Sequence, residues 1–268
     1  MIKDITLGQY FPGNSFIHRL DPRIKLIALI VFIVSVFFAD GFVSYGLCVA
    51  FTALVIVISR IKPKLIFKSL KAIIIIVVFT ALLNIFYTPG KVLVSFWIFK
   101  ITLEGIGAGI GMALRVTLLV ISSALLTYTT SPMALTDGLE KLLSPLKKIK
   151  IPVHEFSMMM TIALRFIPTL IEETDKIMSA QKARGADFES GNLIKRAKAL
   201  IPVLVPLFVS SFRRADELAT AMECRLYHGD NGRTRLKSLH YTKTDALGAL
   251  VLIAVCAAVI TTSVVFGL

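Results

Sequence analysis

The apolar positions of this chain gather into five long stretches, 24–39, 42–59, 72–87, 103–127 and 246–268. Each comes near the about 20 residues that a helix needs to cross hydrocarbon, with about 17 as the lower bound. Lys25, at the head of the first, is expected to snorkel to the surface. Asp40-Gly41 leaves room only for a tight turn between the first two, and Thr88-Pro89-Gly90 closes the third. Between the fourth and fifth stretches the pattern changes to a helical period. Leu135, Leu139, Leu142, Leu143 and Leu146 share one face of a helix predicted over 133–149. Ser131 reads as its N-cap and Pro132 as its first residue, and Pro145 kinks or ends it. Pro152 opens a longer helix, 153–186, stopped by Gly185 and Asp187. Gly191 opens another, 191–227, which ends before His228-Gly229-Asp230-Asn231-Gly232. At 1.5 Å per residue these two reach roughly 50 Å.

Composition agrees with membrane residence. The 268 residues are 56% hydrophobic and only 18% charged, and the mean hydropathy is +0.78. Soluble domains are about 45–50% apolar and about 25% charged. A disordered chain, a disulfide-rich secreted domain and an ordinary cytosolic enzyme are excluded. The net charge of +13 invites a nucleic-acid reading, but a greasy basic chain fits a membrane protein with positive inner loops better. No nucleic-acid partner is expected. The polar N-terminal segment, with no small-residue cleavage site after the first apolar run, predicts no signal peptide. Cys48, Cys224 and Cys256 fit no metal spacing.

Lys and Arg set the orientation. Lys3, Arg19, Arg23 and Lys25 precede or open the first span, and Arg60, Lys62, Lys64, Lys68 and Lys71 crowd the 59–71 connection. The 40–41 turn has none, and 88–102 has only Lys91 and Lys100. The expectation is an N-terminus in the cytoplasm of a multi-pass cell-membrane protein. Residues 1–127 then form a four-span membrane domain, 128–244 a cytoplasmic or interfacial helical insert, and 246–268 the last span. The fold class is an all-α integral membrane protein with about five transmembrane helices.

The two long helices share one design. Each opens apolar (156–171 and 199–212) and finishes charged (172–184 and 213–225). Arg165 and Pro168 interrupt the first apolar half, and Pro202 and Pro206 the second. Intramembrane arginine is costly, so helices lying along or dipping into the interface are preferred. An extra pair of spans over 156–171 and 199–212 would preserve the same final orientation. Each charged end places an arginine after a small residue, in Ala183-Arg184-Gly185 and Cys224-Arg225-Leu226. Taken alone, such arginines offset the C-terminal helix dipole, worth about 0.3–1 kcal/mol.

Asp21-Pro22-Arg23-Ile24-Lys25-Leu26, Ala163-Leu164-Arg165-Phe166-Ile167-Pro168, Ala180-Gln181-Lys182-Ala183-Arg184-Gly185 and Ala221-Met222-Glu223-Cys224-Arg225 occur in that order. Together they resemble the transmembrane T component of energy-coupling factor (ECF) transporters, from Asp21 to about Tyr227. The resemblance implies that the two arginine triplets end coupling helices, each docking in a groove of one of two ATP-binding-cassette ATPase subunits. Ala183, Arg184, Gly185, Cys224, Arg225 and Leu226 are then the ATPase contacts, although the second triplet keeps only the arginine. It also implies a separate substrate-binding membrane (S) subunit serving vitamin or other micronutrient uptake. No cofactor is bound by this chain; ATP and Mg belong to the partner ATPases. Met158, Met159 and Met160 suit contact with the S subunit, because flexible thioethers repack against different surfaces; filling a core or facing lipid suits them equally. Asp21, Pro22, Arg23, Arg165 and Pro168 are given structural roles.

Other signals are weaker. The run from Gly105 to Gly111 carries two overlapping GxxxG patterns without the strand that a dinucleotide loop requires, and reads as close helix packing. Arg115, deeper in that span, must snorkel or face protein. His154-Glu155 lacks the second histidine of a zinc protease, and no GxSxG or Walker A sequence is present. A permease that binds substrate itself, or an intramembrane enzyme, remains the alternative to a non-catalytic coupling subunit.

Overall fold

The structure is a computed structural model that describes residues 10–96, 99–188, 190, 192–229 and 239–266. Lys3, Gly191, the Asp230-Asn231-Gly232 turn and the last two residues of the final span lie outside them. In chain order the elements are α1 (Phe16–Arg19), α2 (Pro22–Phe37), α3 (Gly41–Ser59), α4 (Pro63–Tyr87), β1 (Val92–Phe96), β2 (Phe99–Thr102), α5 (Leu103–Thr129) and α6 (Pro132–Leu143). A 3-10 segment (Ser144–Ile149), α7 (Val153–Ala183), α8 (Leu193–Cys224) and α9 (Lys243–Phe266) follow. The chain divides into two compact units, one containing residues 8–142 and 239–268 and the other 143–238.

The first unit is the membrane bundle. Four of its helices are long and apolar enough to cross a bilayer: α3, α4, α5 and α9. With 16 residues, α2 is shorter than the usual bound, yet it traverses the same layer as α9. At one end the Asp21 amide donates to Asp245 Oδ1 at 2.7 Å. At the other, Ser263 Oγ donates to the Phe38 carbonyl at 2.7 Å. The two helices therefore run parallel over the same depth. In the first turn of α3, Ser44 Oγ lies 3.1 Å from Thr262 Oγ1 near the end of α9, so α3 runs opposite to α9. These directions are those that five passes require.

Lipid tails are as apolar as leucine, so helix association in a membrane depends on close packing and on hydrogen bonds. Gly105 and Gly109 supply the first. A Cβ on Gly105 would lie 2.8 Å from the Ile85 carbonyl oxygen, and one on Gly109 would lie 3.0 Å from that of Ala81. The small-residue run thus seats α5 on the backbone of α4. The main buried cluster joins Phe32 and Val36 of α2, Cys48 of α3, Leu118 of α5 and Leu252, Cys256 and Val259 of α9.

Several sequence expectations change here. Lys25 does not snorkel: it is 7% exposed. Its Nζ donates to the His18 and Thr129 carbonyls at 3.2 and 3.0 Å and to Thr130 Oγ1 at 3.4 Å. It caps the carbonyl end of α5, the role that a cation takes at a helix C-terminus. Most of the 59–71 connection is helix. Lys62 is the N-cap of α4 and Pro63 its first residue, so Lys64, Lys68 and Lys71 ride on its opening turns. Arg115 faces protein, at the level of the α2–α3 turn: it donates to the Ala39 carbonyl at 3.4 Å and lies 3.9 Å from the Asp40 carboxylate. Strands β1 and β2 pair antiparallel as a hairpin, with Val94 opposite Ile101 and Phe96 opposite Phe99. That hairpin is the departure from an all-α chain among the described residues. The helix expected over 133–149 tightens to 3-10 at Ser144, next to Pro145.

In the second unit α7 and α8 pack together. Pro168, Pro202 and Pro206 lie inside these helices without ending them.

Candidate functional site

Both arginine ends are built the same way. At the end of α7, Gly185 N donates to Lys182 O at 3.0 Å and Ala186 N to Gln181 O at 3.0 Å, with Gly185 at φ +86°. At the end of α8, Leu226 N donates to Glu223 O at 2.9 Å and Tyr227 N to Met222 O at 3.1 Å, with Leu226 at φ +55°. Two such nested bonds around one left-handed residue make a Schellman helix end. Arg184 and Arg225 hold the same place in it, immediately before the left-handed residue. All six residues of the two triplets are exposed. Sequence comparison of the triplets finds only the shared arginine; the backbone shows that Leu226 takes the conformation Gly185 takes.

The helices run antiparallel. Gln181 Nε2 reaches the Pro202 carbonyl at 3.5 Å, Glu173 pairs with Arg214 at 3.1 Å, and Met158 Sδ accepts from the Tyr227 hydroxyl at 2.9 Å. Each step back along α7 is a step forward along α8. Arg184 and Arg225 therefore stand at opposite ends of the pair, separated by the length of α7 between Met158 and Arg184, about 39 Å of helix rise. The apolar half of each helix lies beside the charged half of the other. Two membrane passes by this hairpin would carry Arg213, Arg214, Asp216 and Glu217 into hydrocarbon beside 156–171, at several kcal/mol for each charge.

Residues 13–236 match the cobalt transport protein family, CbiQ. The chain is 57% identical over 247 residues to the energy-coupling factor transporter transmembrane protein EcfT of Ruminiclostridium cellulolyticum, across 92% of each chain. It is 54% identical over 254 residues to EcfT of Acidaminococcus fermentans, across 95% of each. With EcfT of Bacillus subtilis it shares 49% identity over 258 residues, 96% of this chain and 97% of that one. The chain belongs to this family. It is a transmembrane component of an energy-coupling factor transporter and not an enzyme.

The other residues singled out for this energy-coupling factor chain fall into two places. Asp21 is the N-cap of α2: its Oδ1 accepts from Arg23 N at 2.9 Å, and Pro22 is the first helical residue. Arg23 lies 3.7 Å from the Asp21 carboxylate and donates to the Leu239 carbonyl at 2.9 Å, with its guanidinium 5.0 Å from the Tyr241 ring centre. Arg165 and Pro168 are exposed on α7. Of the three methionines, Met158 is turned to Tyr227, while Met159 and Met160 are 60% and 41% exposed. A larger apolar surface lies on α8, where Ile201, Leu204, Val205, Phe208, Val209 and Phe212 are all exposed. Their spacing of three and four makes them one stripe of the helix. The signal was in the sequence, as periodicity inside 199–212, but an apolar stripe does not by itself say whether it faces a core.

Leu226 is 77% exposed and sits in a conformation that penalises a β-carbon by about 1 kcal/mol. Leu226→Gly is accordingly expected to stabilise the end of α8 by about that amount, and Gly185→Leu to destabilise the end of α7 by as much. Amide hydrogen exchange at residues 226 and 227 should slow about fivefold in the first variant; unchanged exchange there would remove the strain argument.

Proposed function

We propose that the chain is the coupling subunit of an ECF-type importer, with its N-terminus and arginine ends in the cytoplasm. Two ABC ATPase subunits dock on it, one at Ala183-Arg184-Gly185 and the other at Cys224-Arg225-Leu226, and a substrate-binding S subunit lies against its apolar helix faces. The observation that carries this reading is the repeated Schellman end with an exposed arginine at the same position. A planar guanidinium there can pair bidentately with a groove carboxylate. Short basic connections on one side of the bundle support the orientation. ATP and Mg are bound by the ATPases, and this chain needs no cofactor. Nucleotide-driven closure would move the two docked ends relative to each other. The α7–α8 pair would pass that motion to the stripe of Leu204, Val205, Phe208 and Phe212, with Met159 and Met160 as secondary contacts, and so reorient the S subunit to release a vitamin or other micronutrient.

Cys224 provides the test. It is exposed, whereas Cys48 and Cys256 are buried. A thiol-linked photo-crosslinker on Cys224 of the assembled transporter is expected to capture an ATPase subunit. Capture of the S subunit alone, or of neither, overturns the docking assignment.

A further inference from the structure

A cleft of about 670 Å³ opens in the membrane bundle between α1, α2, α3, α5 and α9. Phe32, Leu125 and Leu252 form its buried floor, and Ile58, Leu247 and Val251 its exposed lips. Its polar side chains are already satisfied from within. Thr52 donates to the Cys48 carbonyl at 2.8 Å, Ser122 to that of Leu119 at 3.0 Å and Thr129 to that of Leu125 at 2.7 Å. The Lys25 ammonium is spent on the three oxygens described above. The cleft thus offers nothing to a polar solute, and its lips lie on faces of spanning helices. A space of this size without contacts would forfeit dispersion energy along its whole lining. Hydrocarbon fits it.

One end of the cleft is cationic. Phe16, Ile17 and Leu20 line that end, with Arg19 exposed between them, and Ile58 lines it two residues before the exposed Arg60. Lys62 follows, its Nζ 5.8 Å from the Phe11 ring centre. No acidic residue occurs between Tyr10 and Leu20 or between Gly41 and Leu103. The neighbouring Asp21 and Asp245 are buried. Burial pushes His18 below its ordinary pKa, reinforced by Lys25 and opposed by the Phe11 carbonyl, so the imidazole is neutral at neutral pH. Arg19, Arg60 and Lys62 are all exposed and give this end three cations, as at basic sites that hold lipid headgroups.

We propose that the cleft holds one acyl chain of an anionic phospholipid, whose phosphate lies among Arg19, Arg60 and Lys62. This assignment is independent of the ATPase docking. The full-length chain, delipidated in mild detergent, would be offered phosphatidylglycerol or phosphatidylcholine of equal chain length and read by native mass spectrometry. Retention of one phosphatidylglycerol is expected, with at least tenfold preference over phosphatidylcholine. Arg19→Glu with Arg60→Glu should abolish the preference, and Val251→Trp, which fills the cleft, should lower retention of both lipids at least tenfold. Leu29→Trp blocks the same space from α2 should Val251→Trp not fold. Equal retention of the two lipids, a preference that survives charge reversal, or retention indifferent to filling overturns the proposal. Loss of S-subunit co-purification on filling, with lipid retention unchanged, would give the cleft to that protein instead.

Discussion

Arg184→Glu combined with Arg225→Glu is expected to leave the chain in the membrane and to strip it of both ATPases. Each arginine is the last residue before a left-handed turn and is solvent-exposed, so neither replacement disturbs a core. The local penalty is an unfavourable charge against the helix dipole, about 0.3–1 kcal/mol. The loss across the interface is larger. Removing one member of a hydrogen-bonded, desolvated charge pair costs about 2–5 kcal/mol, and reversal adds repulsion to that. The two ends stand about 39 Å apart and are proposed to dock separate subunits, so the losses should add. Of the single variants, Arg184→Glu should lose more, because Gly185 lets a partner approach closely. Arg184→Lys should fall between it and the unaltered chain, since lysine keeps the charge but not the fork. Co-purification from membranes through a tag on this chain measures all of these. Recovery of both ATPases at unaltered stoichiometry with the inserted double variant would end the proposal.

The second large effect concerns Asp245, which lies 2% exposed where α9 meets α2. Its Oδ1 accepts from Asp21 N at 2.7 Å. Its Oδ2 accepts from Thr242 N at 2.8 Å and from Thr242 Oγ1 at 2.6 Å. Asp245→Ala would orphan two backbone amides and leave the buried Lys25 short of a counter-charge. Breaking one side of such a buried arrangement costs about 3–5 kcal/mol. Asp245→Asn keeps an acceptor oxygen and should cost about half as much. Thermal unfolding of the purified chain in detergent should rank them, with Asp245→Ala the least stable; a melting curve unchanged in that variant would contradict the assigned role.

Asp245 also marks where reading the chain stopped short. Thr242-Lys243-Thr244-Asp245 has the spacing of a capping box ahead of an apolar run, and the Asp245 bond to Thr242 N is the carboxylate half of that box. The bond to Asp21, far earlier in the chain, depends on α2 and α9 lying side by side, which no local pattern encodes. Lys25 is a similar case: a lysine at the head of an apolar stretch usually snorkels, and only the bundle reveals the Thr129 carbonyl at the end of α5 waiting beside it. The helices themselves were legible because membrane spans are written as uninterrupted apolar runs. The start of α4 was not, because Lys64, Lys68 and Lys71 resemble a loop when helical phase is ignored. At the candidate docking ends the arginines were visible as a degenerate repeat. The left-handed backbone at Leu226 was not, since glycine, the residue that normally announces it, is absent there.

The antiparallel pairing of α7 with α8 constrains how such a chain can change length. One residue added to either helix alone would rotate everything beyond it by about 100° and slide Glu173 off Arg214. Seven residues, nearly two whole turns, restore the angular phase to within about 20°, but only if both helices gain them near their connecting turn. The distance between the two arginine ends is therefore adjustable in steps of about 10 Å and not continuously, so a chain in this family that served ATPases of different spacing would have to differ by paired insertions of that size.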